Sequence, residues 1–142
     1  MVAVDETVEE IEEGAELRLD FGKIQQAARS SRPLLPVVLQ HAETSEVLFV
    51  GYANDEAVKE SLASGQAVLW SASRDELWRK GATSGDRLDL VEVRVNCEQN
   101  ALLYRVLPRT GGVCHTTDAA GEARPSCFYR RIDGEALQFL EP

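Results

Sequence analysis

Cys97, Cys114, His115 and Cys127 are the side chains of this sequence best suited to holding a borderline-soft metal ion. Zinc prefers thiolate and imidazole ligands in tetrahedral geometry, and three protein ligands leave a fourth position for water. A water so bound has its pKa lowered to about 7 and is a nucleophile at neutral pH. His115 follows Cys114 directly and suits either a ligand or a proton carrier beside the metal. No Cys-x-x-Cys pair is present, so spacing alone is equally compatible with three free core cysteines. An odd count of three, all after residue 96, argues against a closed disulfide framework.

A second group, Trp78-Arg79-Lys80-Gly81-Ala82-Thr83-Ser84-Gly85, gathers cations, hydroxyls and glycines. Glycine lets a backbone approach a ligand closely, and Lys and Arg supply charge for a phosphate. The order is not that of a P-loop, and an ordinary surface turn has the same composition. A third group is Asn96-Cys97-Glu98-Gln99-Asn100. In an extended segment Asn96, Glu98 and Asn100 share a face and could offer oxygen to a hard cation such as magnesium. Only Glu98 is anionic, so such binding would be weak, and a polar strand end explains the residues as well. His41, the other histidine, reads as a surface residue.

The elements that must position these groups follow from the apolar pattern. Leu34–Gln40 and Glu46–Gly51 read as strands of a hairpin, with Ala42–Ser45 as the turn. Asn54 is an N-cap, Asp55 and Glu56 fill the first turn, and Gly65 ends a helix with Ala57, Val58 and Leu62 on its apolar stripe. Ala67–Ser71, Leu88–Asn96, Ala101–Leu107 and Ser126–Ile132 read as further strands. Val91, Val93 and Val95 alternate as in a half-buried strand. Arg109–Arg124 reads as a loop. Leu19, Phe21 and Ile24 are expected to begin the packed domain as a turn or helix. The pattern predicts an α+β fold, mostly antiparallel strands with one or two helices. Residues 17–142 form the single domain, and residues 1–16 an acidic N-terminal extension with Val4, Val8 and Ile11 at helical spacing. That extension reads as solvated, and no function is assigned to it.

With 142 residues, one core is affordable and two are not. Hydrophobic residues make up 44% and charged residues 27%, as in ordinary globular domains. The net charge of -9 disfavours nucleic acid, although local cations can still hold a small anion. No apolar run nears the roughly 18–20 residues that span a bilayer. The first residues lack the basic and apolar regions of a signal peptide. The expectation is a cytoplasmic protein with neither membrane nor nucleic-acid partner.

Several segments together resemble the phosphoribosyl-AMP cyclohydrolase family of histidine biosynthesis. They are Leu34–Val38, Val47–Asn54, Trp70–Arg74, Leu77–Gly85, Val91–Cys97, Cys114-His115-Thr116 and Ser126–Arg130, within a similarity running from about Leu19 to Ile132. Their common order is far more specific than any one motif.

The resemblance implies an intertwined homodimer with shared zinc sites, Cys97 from one subunit and Cys114 and Cys127 from the other. It implies that the adenine ring of phosphoribosyl-AMP is opened between N1 and C6. Water activated on zinc would add to C6, and His115 would carry a proton to the departing N1. Arg74, Arg79 and Lys80 are candidates for the substrate phosphates, Thr83 and Ser84 for hydroxyl contacts, and Trp78 for the same pocket. Magnesium is the family's second ion, at aspartates whose positions here are Asn96, Glu98 and Asn100. His41 also replaces a family aspartate, and an insertion within Asp118–Arg124 lengthens the loop between the last two cysteines. These departures keep two other readings open: a diverged zinc hydrolase or deaminase acting on another purine-like compound, and a non-catalytic zinc-stapled dimer.

Overall fold

The computed structural model describes residues 6–80, 87–110 and 112–140. Its centre is a six-stranded sheet in the order β4-β3-β2-β1-β6-β5. Strands β1 (Leu35–His41) and β2 (Val47–Ala53) form the expected antiparallel hairpin. β1 also pairs in parallel with β6 (Leu102–Pro108), the one parallel contact in the sheet. β5 (Leu88–Val95) covers β6 on the outside, antiparallel to it.

The core follows the period of two along these strands. Val37 and Leu39 from β1 and Tyr104 and Val106 from β6 have no exposed surface. β3 (Val68–Ser71) contributes Val68, Leu69 and Trp70, all buried. Helix α3 (Asp55–Ser64) lies against β3 and β2. Asn54 caps it, its Oδ1 accepting from Ala57 N at 2.8 Å, and Gly65 closes it in the left-handed conformation at φ 72°. Inside, the Ser61 hydroxyl donates to Ala57 O and accepts from Val68 N at 2.9 Å, stitching helix to strand.

Two strands have no counterpart in the sequence reading. β4 (Glu76–Arg79) pairs with β3, setting Trp78 opposite Leu69. Its four residues, charged at both ends, carry too short a pattern to register as a strand. β8 (Ala136–Phe139) pairs with β7 (Arg130–Asp133) in a separate two-stranded sheet, around a tight turn in which Gly134 takes φ 63°. That turn needs glycine's freedom at positive φ. β7 is also shorter than the predicted Ser126–Ile132, because residues 126 and 127 are taken up by contacts to β2.

Leu19, Phe21 and Ile24 are 60%, 82% and 71% exposed, so they do not begin the core as expected. The six-residue helix α2 (Lys23–Ala28) buries only Ala27. In β5 the register shifts between Leu90 and Glu92, and Val91 and Val95 are exposed in place of the predicted half-buried row. Helix α1 (Glu6–Glu13) forms in the acidic extension. The segment is docked: Leu137 N donates to Ala15 O at 2.7 Å, and Glu16 bridges to Ala136 on β8.

Candidate metal centre and substrate cleft

Cys114 and Cys127 are brought together by two backbone devices. First, the segment after β6 folds back on itself: Val113 N and Cys114 N both donate to Arg124 O, and Arg124 N donates to Thr116 O. Gly112 allows this close return, because a Cβ there would stand 2.2 Å from that of Ala123. The added residues form an ordered turn, with Asp118 Oδ1 accepting from Ala120 N and Glu122 N. Second, Cys127 N donates to Leu48 O at 2.7 Å and the Ser126 hydroxyl to Val47 O, which pins the far end of the loop to β2.

Cys114 is buried, and its Sγ lies 3.0 Å from the Thr116 hydroxyl. Its thiol is held well below the ordinary range, chiefly by a hydrogen bond from Cys127 and further by Thr116 and His115. Cys127 is pushed up by that same hydrogen bond, with the Lys80 charge opposing. Each sulfur therefore acts on the other, lowering Cys114 and raising Cys127. A thiolate–thiol pair of this kind suits zinc, whose binding would release the remaining proton.

Cys97 stands apart. It is exposed in the turn after β5, and no three or more His, Cys, Asp or Glu side chains gather around one point among the described residues. A single chain therefore supplies two of the three predicted zinc ligands in one place.

The turn around Cys97 does not fit magnesium. Asn96 Oδ1 accepts from Asn100 N and Ala101 N, both at 2.9 Å. The Asn96 amide donates to Asn100 Oδ1 at 2.6 Å, and the Asn100 amide donates to Glu98 Oε2 at 3.0 Å. One oxygen of each predicted ligand thus accepts from a neighbouring N–H, backbone for Asn96 and side-chain amide for Asn100 and Glu98, and Glu98 brings the one negative charge among the three.

His115 lies at the surface, its side chain 75% exposed, and lines a cleft of about 410 Å³. The same cleft is lined by Arg74 and Trp78 of the predicted substrate residues, and by Lys23, Tyr52 and Ser71. The turn carrying Arg74 is fastened by Asp75, which accepts from Ser30 Oγ at 2.7 Å, Ser31 N at 3.1 Å and Trp70 Nε1 at 3.0 Å. Hydrogen bonds from the side chains of Ser31, Ser30 and Trp70, in that order, with the Ser31 N bond adding last, hold its carboxyl well below the usual carboxylate range. They also offset the positive φ of 53° at this position.

Neighbours on a strand point to opposite faces. Trp78 enters the cleft, whereas Arg79 pairs with Glu60 at 2.7 Å and lines a separate depression with Lys80 and Arg87. Lys80 still acts on the cysteine pair through its charge at Cys127. Thr83 and Ser84 lie outside the described residues. His41 serves its own turn, its Nδ1 accepting from Glu43 N and Thr44 N.

The sequence reading missed Lys23, Tyr52 and Glu12. Lys23 sits among Leu19, Phe21 and Ile24, which drew attention as apolar residues. Glu12 is one of many glutamates in its segment, and nothing in its spacing distinguishes it. In the fold its carboxylate meets His115 Nε2.

An imidazole next to one acidified thiol, lining a cleft with two cations and an indole, suits an α+β enzyme acting on a small anionic molecule. A family model described as phosphoribosyl-AMP cyclohydrolase matches residues 49–129, a stretch that contains all three cysteines. Similar proteins named phosphoribosyl-AMP cyclohydrolase occur in distant organisms. That of Bordetella parapertussis is 45% identical over 105 residues, 74% of each chain. That of Archaeoglobus fulgidus is 46% identical over 105 residues, 74% of this chain and 91% of its own. That of Sphingopyxis alaskensis is 47% identical over 108 residues, 75% of this chain and 80% of its own. The chain belongs to the phosphoribosyl-AMP cyclohydrolase family, hydrolases of histidine biosynthesis.

Proposed function

We propose that this protein opens the adenine ring of phosphoribosyl-AMP between N1 and C6, using zinc held by Cys114 and Cys127 of one subunit and Cys97 of a second copy. The observation that carries this reading is the separation of the cysteines. Cys114 and Cys127 act on one another beside His115, whereas Cys97 lies apart from them in the turn after β5.

When bound, zinc supplies a water of lowered pKa, about 7. The residues of the chain do the rest. Arg74 and Lys23 face the phosphates, with Lys80 adding charge near the cysteine pair. Trp78 stacks on the purine, whose N1 substitution makes it cationic and so attractive to an indole face. His115 takes a proton from the adding water and passes it to N1 as the N1–C6 bond breaks, and the water oxygen stays on C6 as a carboxamide carbonyl. Magnesium at Asn96, Glu98 and Asn100 forms no part of this proposal, because those oxygens are already engaged. A cytoplasmic setting suits the biosynthetic role, and no described helix is long and apolar enough to cross a membrane.

Subunit exchange tests the shared site. Cys97→Ser and Cys114→Ser are each expected to be inactive alone. Mixed and allowed to exchange, they should recover about a quarter of wild-type turnover of phosphoribosyl-AMP, because half the dimers carry one intact site of two. No recovery despite demonstrated exchange would refute the sharing. Loss of activity in neither variant would refute the zinc assignment.

A further inference from the structure

The acidic extension contributes to the site. The geometry points to Glu12 as a positioning residue for His115, a carboxylate from helix α1 that fixes which way the imidazole faces and which of its nitrogens carries the proton. This inference rests on the proposed function for its catalytic meaning, but not for the contact itself. Glu12 also lies outside the residues that the family model matches.

Glu12 Oε2 meets His115 Nε2 across 103 residues of chain. A carboxylate accepts, so Nε2 donates in this contact and Nδ1 is the ring nitrogen turned away from Glu12. His115 has no other hydrogen-bond partner among the described residues, so without Glu12 a side chain 75% exposed would turn freely.

Glu12 is itself well held. Tyr129 Oη donates to Glu12 O at 2.6 Å, and Arg130 Nη1 donates to Gly14 O at 3.0 Å. Arg124 grips Glu13 through two hydrogen bonds. Tyr129, Arg130 and Arg124 all belong to the segment that carries or follows Cys114 and Cys127. The helix end is therefore fastened to the same unit as the imidazole it meets. A carboxylate fixing an imidazole from behind is a recurrent way of orienting a proton carrier.

The test uses the full-length, zinc-loaded protein and the variants Glu12→Ala and Glu12→Gln. Steady-state kinetics with phosphoribosyl-AMP should show kcat falling about tenfold to a hundredfold in Glu12→Ala, with KM within about twofold of wild type. Glu12→Gln should lie between, because its amide oxygen can still accept from Nε2. In a His115→Ala background, Glu12→Ala should change kcat by less than about twofold, as expected for groups acting as one unit. Zinc content should be unchanged throughout.

The ring nitrogens of the two histidines, read by nitrogen NMR, give a measure that needs no substrate. In Glu12→Ala the His115 signals should move toward those of a free imidazole while those of His41 stay. Unchanged His115 signals would overturn the inference, as would full kcat in Glu12→Ala or multiplicative losses in the double variant. A wild-type protein inert toward phosphoribosyl-AMP would overturn the functional reading alone, and the ring signals would still decide whether Glu12 orients His115.

Discussion

Arg124 and Glu13 face each other end on, Nη1 to Oε1 at 2.7 Å and Nη2 to Oε2 at 3.0 Å, with the guanidinium lying 4.0 Å from the centre of the Tyr129 ring. The two partners differ in setting. The Arg124 side chain is 6% exposed and that of Glu13 41%.

The difference predicts unequal losses. Arg124→Ala removes a buried group from both partners and should destabilise the fold by about 2 kcal/mol or more. Glu13→Gln keeps an acceptor in a solvent-screened position and should cost less than about 1 kcal/mol. Glu13 is held below the ordinary glutamate value, mainly by its hydrogen bond to Arg124. Its contribution is therefore complete above about pH 4.3 and fades as pH falls through the depressed value. Urea unfolding at several pH values should show a shallower acid loss in Glu13→Gln than in wild type. Parallel curves would mean that the pair carries no linkage.

The lowered Cys114 thiol, beside a raised Cys127, predicts one thiolate in the metal-free protein at neutral pH. Ultraviolet thiolate absorbance should fall in Cys114→Ser even before metal is added, and Cys114→Ser should lose bound zinc and activity together. Normal zinc content in that variant would remove Cys114 from the ligand set.

The turn at Asn96, Glu98 and Asn100 predicts a gain of function by substitution. Replacing all three with aspartate breaks the amide-to-oxygen bonds and crowds three negative charges together. The melting temperature should fall in chelator and rise again with added magnesium, as ligand binding to the folded state requires. Wild type should show no such rise. A magnesium-dependent rise in wild type would place an ion on this protein that the engaged oxygens do not account for.

Much of this architecture is legible from patterns that depend on nearest neighbours. The β1–β2 hairpin, the cap at Asn54, the stop at Gly65 and the strand at β6 are each written within a few residues. What escapes is set by distant partners. β4 is a strand because β3 lies beside it, and the exposure of Phe21 and Ile24 reflects where α2 lands. The three cysteines and His115 stand out by chemistry, yet their grouping into a pair and a lone residue depends on Ser126 and Cys127 bonding to β2. Arg79 looked equivalent to Trp78 until the strand assigned them to opposite faces. Glu12 is the extreme case, since its partner lies 103 residues away and its own segment is monotonously acidic.

The tie between Ala15 and Leu137 also sets an order of assembly on the ribosome. Residues of α1 emerge well before the strand that meets Ala15, a delay on the order of ten seconds at ordinary translation speeds. During that interval the sheet can close and the cysteines can meet, and the helix has Arg124 and Tyr129 to clasp but not yet β8. A nascent chain arrested before β8 would carry both sulfurs of the pair and the imidazole without the full anchorage that holds its carboxylate in place. Helix α1 is thus made before the cysteine pair and fully anchored after it.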